Sequence, residues 1–124
     1  MESKYLGKTV RHPVDELDTF PAPKGVKTVT MSSDEVTSSC PITGQPDFYE
    51  ISIEYEPNEL CIESKSLKLY LWGLRDKAFF AEQMTVDIRD RVVADIKPKS
   101  CRVTSKQKAR GGISIETVAV YPER

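Results

Sequence analysis

"YEISIEYE", residues 49–56, alternates without a fault: Tyr49, Ile51, Ile53 and Tyr55 fall on one side, Glu50, Ser52, Glu54 and Glu56 on the other. A period of two sends successive side chains to opposite faces of an extended chain, so the stretch reads as a strand with one face buried and one wet. Upstream, the alternating, β-branched "VKTVTM" (26–31) reads as a second strand. Downstream, "CRVTSKQ" and "ISIETVAVY" alternate in the same way and are joined through "KARGG", whose glycines suit a hairpin.

Between these strands the period changes. Leu67, Tyr70, Leu71 and Leu74 have helical spacing within 66–76, and Met84, Ile88, Val92 and Ile96 recur every four residues within 79–96. Asp87, Arg89, Asp90, Arg91 and Asp95 take the other faces of the second helix. The order strand, strand, helix, helix, strand, strand predicts an α+β domain, an antiparallel four-stranded sheet with two helices on one face. Residues 1–25, with Pro13, Pro21, Pro23 and Gly25 among polar neighbours, are expected to form a flexible arm, leaving 26–124 as a single domain. The first and last strands leave unpaired sheet edges, so a homo-oligomer that pairs them is expected.

The chain has 124 residues, 39% of them hydrophobic and 30% charged, which suits one globular domain. A net charge of −1 gives no electrostatic basis for a nucleic-acid partner. No apolar run approaches the roughly 20 residues of a membrane span, and no charged-then-apolar leader opens the chain, so a cytoplasmic protein is expected. Cys40, Cys61 and Cys101 form neither a disulfide framework nor a CxxC knuckle, and His12 is the sole histidine. A His/Cys metal site is therefore poorly supplied, and catalysis by a histidine base would have to use His12.

"CPITGQPD" (40–47) sets a thiol and a carboxylate at opposite ends of a turn stiffened by Pro41 and Pro46. Backbone preferences alone attract Gly, Pro and Asp to turns; the chemical alternative makes Cys40 a nucleophile and Asp47 an acid acting on one substrate. "ESKSLKLYL" (63–71), taken alone, reads as the start of an amphipathic helix with Ser64 as N-cap and Lys65 and Lys68 on the solvated face.

Taken together, "SSCPITGQPDF", "CIESKSLKLYL", the Phe80–Glu82 "FxE" and "ARGGISI" resemble, in order, the short single-module members of the nitrile reductase family of queuosine biosynthesis, the QueF family. The resemblance runs from about residue 30 to residue 121. It implies the tunnelling fold, in which subunit sheets join into a barrel, with a decamer of two pentamers as the assembly. It also implies NADPH-dependent reduction of the nitrile of 7-cyano-7-deazaguanine to an aminomethyl group. Cys40 would add to the nitrile carbon as a thioimide, Asp47 would supply the proton to nitrogen, and two NADPH would be consumed. A thiolate is the side-chain nucleophile best suited to a soft, weak electrophile.

By the same resemblance Glu63, Ser64, Phe80 and Glu82 bind the substrate. The carboxylates meet the N–H edge of the deazaguanine, and Phe80 packs on its ring. Ser64, Lys65, Ser66, Lys68 and Arg110 are implied for NADPH, whose phosphates suit cations and the N–H groups of a helix start. There is no GxGxxG, so a Rossmann mode of binding is not expected. One departure stands out: Ala81 occupies the place of the histidine in the family's usual "FHE". Three alternatives stay open. One is an amidine-forming relative, which would lack "ESKSLK"; another is pterin chemistry of cyclohydrolase type, which needs a metal-binding His/Cys set. The third is a non-catalytic purine-binding module.

Overall fold

The structure, a computed structural model, describes residues 14–123; His12 and the first half of the expected arm lie outside the described residues. In chain order the elements are β1 (Thr19–Pro21), β2 (Val29–Ser39), β3 (Pro46–Glu56), β4 (Leu60–Ile62), α1 (Ser64–Gly73), a 3₁₀ turn (Leu74–Asp76), α2 (Ala81–Ile96), β5 (Ser100–Arg110) and β6 (Ile113–Tyr121). The main sheet is antiparallel in the order β2-β3-β5-β6, and β1 pairs separately with β4.

The alternation of 49–56 decides which face is covered. Tyr49, Ile51, Ile53 and Tyr55 are at most 2% exposed, while Glu50 and Glu54 on the other face are in solvent. Val103 of β5 and Val36 of β2 add to the covered face. Against it lies the ridge of α2: Met84, Ile88 and Val92 are fully buried, with Ile96 at the end of the row. Fully burying a side chain of this size is worth about 1.5–3 kcal/mol, so the four-residue repeat is what holds α2 on the sheet. α2 lies over β5 and β6, and α1 lies beside β2. The helix stops at Lys97, which turns left-handed (φ 46°) and gives its N–H to the Val93 carbonyl at 3.0 Å, with Pro98 following.

Two expectations are corrected. Residues 14–22 are docked on the domain. Val14 and Leu17 are buried, and the Leu17 N–H donates to the Asp95 carboxylate at 2.8 Å. Arg91 grips the same carboxylate and reaches the Asp15 carbonyl at 3.4 Å, while Thr19–Pro21 pairs with β4. Prolines erase the periodicity that marks an element, but two apolar side chains and satisfied backbone groups suffice to hold the segment. The second correction concerns the strand expected over 26–31, which does not end there but runs on through 32–39, a stretch rich in Ser, Thr and acids. It continues β2 as an edge strand with a bulge between Ser33 and Val36. On such a strand the inward positions are filled by Val36 and Ser38, too few apolar residues for alternation to show.

Candidate active site

Cys40 stands where β2 enters the loop to β3. The pairing of Ser39 with Pro46 fixes the loop ends. Within the loop the Cys40 N–H donates to the Gln45 carbonyl at 2.8 Å, and the Gly44 N–H returns to the Cys40 carbonyl at 2.9 Å. Gly44 sits at φ +73°, a conformation that glycine adopts without steric cost. The Thr43 hydroxyl accepts from the Gln45 N–H at 3.2 Å, which aims its own proton elsewhere. The Thr43 N–H, then the Thr43 hydroxyl and the Ile42 N–H, turn toward the Cys40 thiol and hold its pKa below the ordinary value. Partial burial and the nearby Asp47 charge oppose this to a smaller extent.

Asp47 belongs to β3 and not to the loop. It is the cross-strand partner of Ser38 and, by the alternation that buries Tyr49, faces inward, 4% exposed. Arg110, at the end of β5, donates to the Asp47 carboxylate and to the Gln45 side-chain carbonyl. The Tyr49 hydroxyl shares a hydrogen bond with Ser38 at 3.3 Å, and burial pushes its pKa up.

Phe80, Ala81 and Glu82 are brought to the same place by the backbone. The Ser39 N–H donates to the Lys77 carbonyl at 2.9 Å, and a parallel bridge joins Ser39 to Ala78, so the chain entering α2 runs alongside Cys40. Thr85 donates its hydroxyl to the Ala81 carbonyl at 2.8 Å and lies 2.6 Å from the fully buried Ser105 hydroxyl. With the Thr85 proton committed to Ala81, Ser105 is the donor to Thr85, and the first turn of α2 is tied to β5. Cys40, Asp47, Phe80, Ala81, Glu82 and Arg110 thus line one cavity of about 330 Å³, together with Thr43, Gln107 and Ile115. Phe80 is 56% exposed, an aromatic face available for stacking.

The remaining expected residues gather elsewhere, at the start of α1. Glu63, not Ser64, is the N-cap: its two carboxylate oxygens accept from the Lys65 and Ser66 N–H groups, each at 2.8 Å. The helix amides expected to receive a phosphate are therefore already closed by a carboxylate. Ser66, expected at the cofactor, is turned into the fold. It is fully buried, accepts from the Asp18 N–H at 2.8 Å and donates to the Glu63 carbonyl at 2.8 Å. Its hydroxyl locks the motif to the N-terminal segment. Ser64 and Lys68 are exposed and line a groove of about 850 Å³ with Met31, Leu71 and Trp72, while Lys65 is half-buried. This groove suits a dinucleotide cofactor through the Lys68 ammonium, the Ser64 hydroxyl and an apolar wall, but not through helix amides. A single chain thus places Glu63, Ser64 and Lys68 outside the Cys40 cavity.

Sequence reasoning missed Thr43, Gln45 and Gln107. Thr43 and Gln45 sit inside the quoted turn, where only the prolines, the glycine and the two reactive residues drew attention. Gln107 lies on a strand face that alternation marks only as polar.

A family model described as "QueF-like protein" matches residues 46–124. A relative from Syntrophus aciditrophicus, named NADPH-dependent 7-cyano-7-deazaguanine reductase, is 46% identical over 118 residues, 94% of this chain and 84% of that protein. The chain belongs to the QueF-like family. A second QueF-like relative with the same name, from Thiobacillus denitrificans, is 45% identical over 88% of this chain and 80% of its own length. Among solved structures, the QueF-like chain is similar to the crystal structure of the archaeosine synthase QueF-Like in the apo form. The TM-score is 0.74 at 28% identity, covering 78% of this chain and 95% of that one. Among the described residues, no helix of this QueF-like protein is long and apolar enough to cross a membrane.

Proposed function

We propose that this QueF-like protein reduces the nitrile of 7-cyano-7-deazaguanine to an aminomethyl group with NADPH, by covalent capture on Cys40. The reaction is the one in the names of its relatives. The observation that carries the mechanism is the cavity in which a softened thiol, a buried carboxylate, an open aromatic ring and an exposed carboxylate meet.

Cys40 attacks the nitrile carbon: the S–C bond forms, one C–N π bond breaks, and the proton that left sulfur reaches nitrogen by way of Asp47. The product of this step is a thioimide, and no external reactant is needed. Phe80 packs on the heterocycle, and Glu82 accepts from its N–H edge. NADPH, when bound, supplies the hydride for each of two reductions. After the first, the C–S bond breaks and Cys40 departs as thiolate, leaving an imine for the second. The Thr43 and Ile42 donors that favour the thiolate in attack favour it again in departure.

Glu63, Ser64 and Lys68 lie outside this cavity, so the working site is completed by a second copy of the chain. The α1 start of one subunit meets the Cys40 cavity of another in a barrel of paired sheets, a decamer of two pentamers in the cytoplasm. Lys68 and Ser64 meet the cofactor phosphates there, with Lys65 beside them.

A second reading, amidine formation by addition of an amine to the thioimide, draws on the likeness to the archaeosine synthase structure, while "ESKSLK" at 63–68 weighs against it. Incubation with 7-cyano-7-deazaguanine alone should add the nitrile's mass at Cys40, and none in Cys40→Ala. Adding NADPH should consume two equivalents per nitrile and release the aminomethyl base. An amidine product formed with ammonia and without NADPH oxidation would overturn reduction. A non-catalytic purine-binding module would bind the nitrile without any adduct.

A further inference from the structure

Arg110 occupies a place that conflicts with the task of the carboxylate it touches. Its Nη1 donates to Asp47 Oδ1 and its Nη2 to Gln45 Oε1, so one guanidinium bridges the strand carrying the acid and the loop carrying the thiol. A carboxyl group loaded with a proton has no charge for the guanidinium to meet. The ion pair and the proton-bearing Asp47 are therefore alternatives, and thioimide formation passes through the second.

The two partners differ in mobility. The Asp47 side chain is 6% exposed and fixed within β3, whereas that of Arg110 is 39% exposed. Arg110 stands at a hairpin tip. The β5–β6 register slips between Gln107 and Arg110, and Gly111 and Gly112 follow at φ +60° and +80° with open space where a side chain would stand. When the pair parts, Arg110 is the member free to leave.

We propose that Arg110 is a gate on the proton carrier: it holds Asp47 as the paired carboxylate, and a phosphate of the dinucleotide cofactor draws it away, releasing Asp47 to load and deliver the proton. The gate rests on the reading of Cys40 and Asp47 given above. It makes cofactor binding accelerate a covalent step in which no hydride moves. Arg110 is a positioning residue here, acting through Asp47.

The test measures the rate of adduct formation by rapid quench and intact mass, on the full-length protein, with the nitrile alone and with the nitrile plus NADP⁺, which carries the phosphates but no hydride. NADP⁺ should speed wild-type capture about fivefold, the scale of releasing one part-exposed ion pair. Arg110→Met should capture the nitrile about fivefold faster than wild type without any dinucleotide, and gain nothing from NADP⁺. Arg110→Lys, which keeps a charge but lacks the rigid planar fork that meets Asp47 and Gln45, should fall between the two. Wild-type capture that is indifferent to NADP⁺, or an equal acceleration in Arg110→Met, overturns the gate and leaves the Cys40 reading standing. Absence of any adduct in wild type overturns both.

Discussion

Ser66→Ala separates a structural hydroxyl from a cofactor contact. In the folded chain the Ser66 side chain is fully buried, accepts the Asp18 N–H at 2.8 Å and donates to the Glu63 carbonyl at 2.8 Å. The Glu63 carbonyl keeps a second donor, the Leu67 N–H at 3.2 Å, so its loss is small. The substitution removes the Ser66 hydroxyl as acceptor for the Asp18 N–H in a buried site. An unsatisfied buried donor costs about 1–3 kcal/mol. For a domain of this length each kcal/mol moves the midpoint by roughly 3–5 °C, so a fall of roughly 3–15 °C in Tm is expected. Circular dichroism melts at one fixed protein concentration would measure it, because subunit assembly makes Tm depend on concentration. The KM for NADPH should stay within about twofold of wild type at a temperature where both are folded. Ser64→Ala, at an exposed position two residues earlier, should do the reverse, with an unmoved Tm and a raised KM. A Ser66→Ala protein that melts like wild type but binds NADPH poorly would refute the structural assignment and restore the contact that the motif suggested.

The cysteines should separate by reactivity. At pH 8 iodoacetamide should label Cys40 first, because Cys101, pushed up to about 11 by burial, stays a thiol there and Cys61 is buried. Labelling of Cys40 rises with pH as thiolate forms. Thr43→Val removes one donor to that thiolate, so the midpoint of its labelling profile should move to higher pH; an unmoved midpoint would remove the hydroxyl from the account. Ala81→His should raise turnover on the order of 10²-fold, the lower end for one acid–base group, with the amount of adduct unchanged. Unchanged or reduced turnover would mean that the pocket works around alanine.

The sheet and both helices were legible because their faces differ sharply in polarity. The core positions read from 49–56 and from 84–96 are the buried ones, and α1 and the 3₁₀ turn together cover most of the helix expected over 66–76. Polarity also explains what stayed hidden. The second half of β2 is built from Ser, Thr and acids on an edge, and the docked segment 14–22 is broken up by prolines. In the site, chemistry announced Cys40 and Asp47, whereas Glu63 as a cap could not be told from Glu63 as a ligand, since a carboxylate before a helix serves either use. Nor could the meeting of Arg110 with Asp47 be read, because it depends on which turn of a hairpin faces which strand, 63 residues apart in the chain.

The ties of the N-terminal segment bear on the order in which the chain acquires its shape during synthesis. Leu17 finds its acceptor on Asp95, 78 residues later, and Asp18 finds its acceptor on Ser66, 48 residues later. Segments that close such long loops wait for their partners to be made, and contacts between distant residues slow folding. On a ribosome adding roughly 5–20 residues per second, the segment 14–22 therefore remains without its final neighbours until α2 has emerged. The helix start carrying Glu63 and Lys68 is then held at one side only by its own cap. Residues 14–22 emerge before the elements they pack on and are among the last to settle, and they set the final position of a motif that leaves the ribosome tens of residues after them.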